Sequence, residues 1–286
     1  MSTLSRNWLR AAFLALTLAF VTCAALAPIS ARQAAAPAEP AWSATQITEF
    51  LLNARILSGR KTANGVTSPW RLTLTDGTVT HDAGFQTVDL HKLTNTFANG
   101  SVELNFVDSY QYDLAAYQIA TLLGLDGMMP VTVQRKWQAQ IGALSWWIAT
   151  MPNLMDEGER VKRKIEPPPA VHWNDQMDRM RVFMALVLDT DRNATNVLIG
   201  PDWKLWMIDF TRAFRLQAKL VNEKDLVKGD RALLVRIKAL DGAEVARVTK
   251  GYLKKSEIDG LMKRRDLIIQ HFDTLVAARG EKEVLY

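Results

Sequence analysis

The sequence predicts an α+β fold in two lobes, a small strand-rich one followed by a mainly helical one. Three observations predict it. Strand-like runs separated by turn signals fill the chain to about residue 150, apolar residues recur at helical spacing from Trp173 onward, and 286 residues are enough to bury a core in each of two lobes. The composition, 48% apolar and 23% charged, is that of a globular protein.

Residues 1–31 have the pattern of an export signal. Arg6 and Arg10 precede an uncharged apolar run from Ala11 to Ala27, and Ile29-Ser30-Ala31 is a small-residue cleavage site. The main alternative is an uncleaved anchor. A spanning helix needs roughly 20 apolar residues, so this run is at the short limit, and only in that case is a membrane a partner. Lipidation of Cys23 is a weaker third option, because Thr22 is not the small residue expected before it. Each option sends the folded part across a membrane, to a periplasmic or secreted location. Cys23 is the single cysteine, so a cleaved chain has no disulfide, thiol nucleophile or thiolate metal site. His81, His91, His172 and His271 lack ligand spacing, which disfavours zinc. Setting aside Arg6 and Arg10 lowers the formal charge from +5 to +3. The remaining bases are scattered, which gives no case for nucleic acid binding.

Residues 32–44, rich in Ala and Pro, form a flexible leader. The first lobe is expected over 45–150. Ile47, Phe50, Leu51 and Ile56 predict a helix ending near Gly59, and Val66–Leu74 and Val79–Val88 predict strands joined by the hairpin turn Thr75-Asp76-Gly77. A strand is predicted from Val102 to Val107 and a helix from Tyr110 to Leu123, stopped by Gly124. Strands Val131–Trp137 and Leu144–Ala149 complete the lobe. Residues 151–172, with the basic run Arg160 to Lys164 and Pro167-Pro168-Pro169, are expected to connect the lobes without an element of their own. The second lobe is expected over 173–286, opening on a helix whose Met177, Met180, Met184 and Leu188 face the core.

That helix leads into Asp189 to Asn196, then a short strand Val197–Ile199, a turn at Gly200-Pro201-Asp202, and a second strand Leu205–Ile208. The two ends of a hairpin lie side by side, about 5 Å apart, which makes Asn196 and Asp209 neighbours. An amide oxygen and a carboxylate at that distance suit one Mg²⁺ or Mn²⁺ ion, with phosphates and water completing its shell. Asp191, five residues before Asn196, is placed to accept a hydroxyl proton as that oxygen attacks phosphorus. Asp189 and Asp202 are expected to cap and turn, and Arg192 to brace the loop. A capped loop and hairpin is the plainer account of the same residues. Asn193-Ala194-Thr195 also spells a glycosylation sequon, which arises often by chance.

This stretch resembles the catalytic loop and metal-binding aspartate of the atypical protein-kinase-like superfamily, which includes phosphatidylinositol kinases, HipA-type toxin kinases and secretory-pathway casein kinases. Asp191-Arg192-Asn193 stands where the lipid kinases have Asp-Arg-His, and Ile208-Asp209-Phe210 matches their Ile-Asp-Phe. Asp113-Leu114-Ala115-Ala116-Tyr117, with Leu122-Leu123-Gly124-Leu125 and Met129-Pro130-Val131, is similar to the small-lobe helix and following strand of the HipA and secretory kinases. The resemblance covers about Val66 to Phe214 and implies a bilobal kinase-like fold binding ATP or another nucleoside triphosphate.

In such kinases a strand lysine pairs with a helix acid to hold the α- and β-phosphates. Asp113 matches the acid, although a first-turn acid also favours the helix dipole by about 0.3–1 kcal/mol. No lysine matches, and Gln86 stands where one is expected. Lys61, Arg71 or Lys92 are the candidates to supply the charge. Lys61 belongs to Gly59-Arg60-Lys61-Thr62-Ala63-Asn64-Gly65, a phosphate-cover candidate that lacks a Walker motif; two glycines flanking a basic turn are more often an ordinary connection between a helix and a strand. The expected activity is therefore transfer of a terminal phosphate to a hydroxyl on a protein, lipid or small molecule. Asp191 is the expected base, Asn196 and Asp209 the metal ligands, and Gln86, Asp113 and Lys61 the nucleotide-side residues. The alternative is an exported pseudokinase that binds nucleotide or acts as a scaffold. A hydrolase using the same acids has no Ser-His-Asp order in its favour.

Overall fold

The computed structural model describes residues 42–62 and 69–286. The expected signal, most of the leader, and Ala63 to Ser68 lie outside the described residues. Helix α1 (Ala44–Asn53) opens with a capping box: Ser43 accepts from the Gln46 N–H at 3.3 Å and its own N–H bonds the Gln46 side chain at 2.9 Å. Here the expected helix is too long. The chain leaves it at Ala54 and becomes strand β1 (Arg55–Lys61), exposed along nearly its whole length and bulged between Ile56 and Ser58. An edge strand of this kind buries almost nothing, so it carries no alternating pattern in sequence.

Strands β2 (Trp70–Thr75) and β3 (Thr80–Gln86) form the expected hairpin. Asp76 accepts the Thr78 and Val79 N–H groups at 2.8 Å each, and Gly77 takes a φ of 97° that an L side chain rarely adopts. Leu72, Leu74, Ala83 and Phe85 point to the core. At Gly59 a Cβ would lie 2.6 Å from Leu72 and 2.8 Å from Trp137, so this position accepts only glycine without repacking.

Strands β4 (Asp89–Thr96) and β5 (Val102–Ser109) make a separate two-stranded ribbon. Strand β4 was not expected, because all but one of its residues are exposed and none of the apolar alternation of a half-buried strand is present. Helix α2 (Tyr110–Leu122) follows directly, capped by Ser109 and ended by Gly124 at φ 68°. It packs on β6 (Thr132–Trp137) and β7 (Gln140–Trp146), which close a five-stranded antiparallel sheet in the order β1-β2-β3-β7-β6.

The expected connection at 151–172 does contain a helix, α3 (Glu157–Arg163), capped by Asp156. Arg160 pairs with Glu157 at 2.6 Å and caps the Ile165 carbonyl at 2.7 Å, so the basic run is in part the cationic end of a short helix. The chain before α3 docks on the second lobe's hairpin, with Met151 N–H on the Ile199 carbonyl at 2.7 Å and Ile199 N–H on the Met155 carbonyl at 3.0 Å.

Helix α4 (Trp173–Val187) buries Met180, Phe183 and Val187, and Leu188 ends it in a left-handed turn with φ 50°. Strands β8 (Val197–Ile199) and β9 (Leu205–Met207) form the expected hairpin, pairing Val197 with Met207. Helices α5 (Arg231–Ala239), α6 (Gly242–Val248), α7 (Lys255–Arg279) and α8 (Glu281–Val284) finish the chain, and α7 packs on α4, α5, α6 and α8. The result is an α+β chain with an antiparallel sheet first and a helical region last. Among the described residues no helix is long and apolar enough to cross a membrane.

Candidate active site

The hairpin does the positioning that its length implies. Ile208 donates its N–H to the Asn196 carbonyl at 3.1 Å, which places Asn196 opposite the residue before Asp209. Arg192 locks this junction. Its guanidinium donates to the carbonyls of Asn196 at 2.9 Å, Ile208 at 2.5 Å and Asp209 at 3.2 Å, and pairs with buried Asp189 at 2.6 Å. It also lies over the Phe210 ring at 4.2 Å. Asp189 turns the loop by accepting the Asp191 N–H at 3.1 Å. Asn193 likewise accepts the Thr195 N–H at 2.9 Å, so the sequon asparagine is a turn residue in the same loop.

Asp209 has φ 60°, left-handed for a residue with a Cβ. Backbone strain of this kind costs on the order of 1–3 kcal/mol and persists where surrounding contacts enforce it. Here the enforcing contacts are the Arg192 bonds and, on the next residue, the Phe210 N–H donated to Asp113 at 2.7 Å. The Thr211 hydroxyl donates to Asp209 Oδ1 at 3.0 Å. Asp209 reaches solvent although protein surrounds it on most sides. Burial is the first cause raising its carboxyl above the usual aspartate range, with Thr211 and Arg192 opposing.

Asp113 therefore meets the backbone beside the candidate metal ligand. Its carboxyl is pushed well up by burial and then by the Asp209 charge, against the Phe210 N–H and Arg192. Among the described residues the other nucleotide-side candidates have contacts of their own. Gln86 accepts its own neighbours' N–H groups, Thr87 at 3.1 Å and Val88 at 3.4 Å. Lys61 is exposed, with its ammonium 5.7 Å from the Trp70 ring. Arg71 pairs with Asp82 at 2.6 Å and Lys92 bonds Asn95 at 3.1 Å.

Four residues that the sequence did not single out complete the cluster. Asp108, at the end of β5, has an Oδ1 that is buried without a hydrogen-bond partner, and its carboxyl is raised by burial and by Asp209. Glu103, also on β5, pairs with Arg212 at 2.5 Å and Arg215 at 2.9 Å. Two arginines spaced by three, directly after Ile208-Asp209-Phe210, were the available signal. Asp191 stands at the solvent side, 54% exposed, with Arg212 3.7 Å away. Its carboxyl is raised by burial and lowered by Arg212.

The donor set fits a hard divalent cation. The hairpin backbone sets Asn196 and Asp209 at one junction, and their side chains are of the types, an amide and a carboxylate, that a phosphate-bound Mg²⁺ or Mn²⁺ uses. The crowding of Asp108, Asp113 and Asp209 is unfavourable without a cation. Asp108→Asn is accordingly expected to stabilise the metal-free protein at neutral pH by about 0.5–2 kcal/mol. The sign follows from linkage: a raised folded-state carboxyl holds its proton longer than the unfolded chain does, so stability falls as pH rises from the ordinary value of 3.8 through the folded-state value. A variant that melts at or below the wild type at pH 7, or keeps its full loss of stability over that interval, would refute this.

No protein-family model and no curated protein matches the sequence. Solved structures do. Hydra Fam20 with sugar superimposes with a TM-score of 0.61 at 12% identity, covering 85% of this chain and 91% of that one. The Golgi casein kinase gives 0.60 at 11% identity, covering 85% of this chain and 78% of that chain, and its Mn/ADP-bound form gives 0.59 with the same identity and coverage. The chain has the kinase-like fold of these proteins.

Proposed function

We propose that this chain, folded as the secretory kinases are, is a phosphotransferase that moves the terminal phosphate of a nucleoside triphosphate to a hydroxyl. The observation that carries this reading is the hairpin junction that sets Asn196 beside Asp209 under the Arg192 bonds, with Asp191 in the loop leading into it. Asn196 and Asp209 would hold Mg²⁺ or Mn²⁺, which when bound neutralises phosphate charge. Asp113 fixes the Phe210 backbone and so the direction of Asp209. Asp191 accepts the acceptor's hydroxyl proton; the acceptor oxygen bonds phosphorus as the bond to the β-phosphate oxygen breaks, and that electron pair leaves with the nucleoside diphosphate. The Golgi casein kinase structure with Mn/ADP supports the choice of nucleotide and metal by analogy of fold. We assign Gln86 and Lys61 to the nucleotide side. Export, from the pattern of residues 1–31, belongs to the same proposal.

A pseudokinase is favoured by one observation: among the described residues Asp113 hydrogen-bonds a backbone N–H, with no lysine pair. Melting curves with Mg-ATP and Mn-ATP test the site first. Ligand at one hundred times Kd stabilises by about 2.7 kcal/mol, roughly 5–10 °C for a domain of this size. Asp209→Ala is expected to abolish the shift. No shift with any nucleotide and metal sinks both readings; a shift without transfer selects the pseudokinase.

A further inference from the structure

Arg212 stands beside the candidate base Asp191 and, like Arg192 and Arg215, has a buried donor without a hydrogen-bond partner. Arg192 is committed to Asp189 and three carbonyls. Arg212 follows Asp209 by three residues, and its side chain is 13% exposed. Glu103 holds its Nη2 at 2.5 Å, while Phe97 and Phe106 lie 5.1 and 4.9 Å from the guanidinium carbon. Its Nε is buried with no hydrogen-bond partner, and its Nη1 stops 3.7 Å short of Asp191 Oδ1. A guanidinium has five N–H donors in a rigid fork, and this one is fixed by one acid and two rings while donors beside the candidate base are unspent.

Resting on the phosphotransferase reading, we propose that Arg212 contacts the terminal phosphoryl group during transfer and supplies positive charge to it. A base works within about 3 Å of the hydroxyl it deprotonates, and that oxygen must come within about 3–3.5 Å of phosphorus. A cation 3.7 Å from the base carboxylate is therefore within reach of the phosphoryl oxygens as the acceptor bond forms. Its position on the Asp191 side assigns it to the group being transferred rather than to the α- and β-phosphates. The charge is aimed before the reaction starts, since Glu103, Phe97 and Phe106 already hold it, and preorganised charge is what lowers a barrier of this kind. Arg212 is thus a catalytic residue of the proposed reaction, and Glu103 a positioning residue that acts through it.

The experiment measures ADP release from Mg-ATP and Mn-ATP, which registers transfer to any acceptor, water included. Arg212→Ala is expected to lower kcat about 10²-fold, while KM for the nucleotide and the Mn-ADP melting shift stay within about threefold and a few degrees of wild type. Added guanidinium ion is expected to restore part of the rate to this variant and none to Asp191→Asn. Glu103→Gln is expected to slow the otherwise wild-type protein and to slow the Arg212→Ala variant much less, the remainder reporting its second pair with Arg215. A rate within about threefold of wild type for Arg212→Ala overturns the inference. So does loss of the Mn-ADP shift together with the rate, which would place Arg212 in binding or folding. A wild type that releases no ADP sinks the phosphotransferase reading itself, and this inference with it.

Discussion

Asp191→Asn is expected to lower phosphate transfer by about 10²–10⁴-fold while leaving the nucleotide-dependent melting shift in place. The residue is exposed at the edge of the acid cluster, and its backbone N–H is fixed by Asp189, so the substitution removes a proton acceptor without disturbing the fold. Asn196 and Asp209, the expected metal ligands, belong to a junction that Arg192 holds independently of the Asp191 side chain. The rate should also have an acidic limb. Burial raises the Asp191 carboxyl above 3.8, so the wild type loses its base as pH falls through that raised value, before an unperturbed aspartate would protonate. The variant should lack that limb in whatever rate survives. Equal losses of transfer and nucleotide binding would move Asp191 from proton acceptor to ligand.

The largest expected loss of stability is at Arg264, far from any reacting atom. Its side chain has no exposed surface, and it donates to the carbonyls of Leu186, Arg215 and Gln217, each at 2.8 Å. Burial draws its guanidinium down to about 10, still charged at neutral pH. Leu186 is in the last turn of α4, just before the loop of Asp191, and Arg215 and Gln217 follow Asp209, so one residue of α7 ties the chain on both sides of the Asp191 to Asp209 segment. Arg264→Met keeps most of the volume and strands two buried acceptors and one part-buried one, at about 1–3 kcal/mol for each buried acceptor before relaxation. A net loss of about 3–5 kcal/mol is expected, or roughly 10 °C in Tm. A drop below about 3 °C would show that water or local rearrangement satisfies the carbonyls.

Elements were legible in the sequence where local chemistry decides them. The turn at Asp76-Gly77, the stop at Gly124 and the hairpin between Asn196 and Asp209 depend on residues adjacent in the chain, and they stand where their patterns put them. Strands β1 and β4 escaped notice because they are exposed edges, whose pairing is set by a neighbouring strand and not by their own alternation. Helix α3 was hidden by charge: seven residues, with Glu157 buried by its pair with Arg160, have no apolar stripe to detect.

By itself the sequence determined the order of Asp191, Asn196 and Asp209 and, through a hairpin of known spacing, the adjacency of the last two. That inference needs only strand geometry. Which charges meet those residues was decided by tertiary structure alone. Asp108 and Glu103 come from a ribbon that pairs only with itself, about 100 residues before Asp209, and Arg264 comes from a helix 55 residues after it. Electrostatic partners act through space at a few ångströms, and no periodicity along the chain records them. Tertiary structure also put a backbone N–H where a lysine was sought at Asp113, and it put Arg212 beside Asp191.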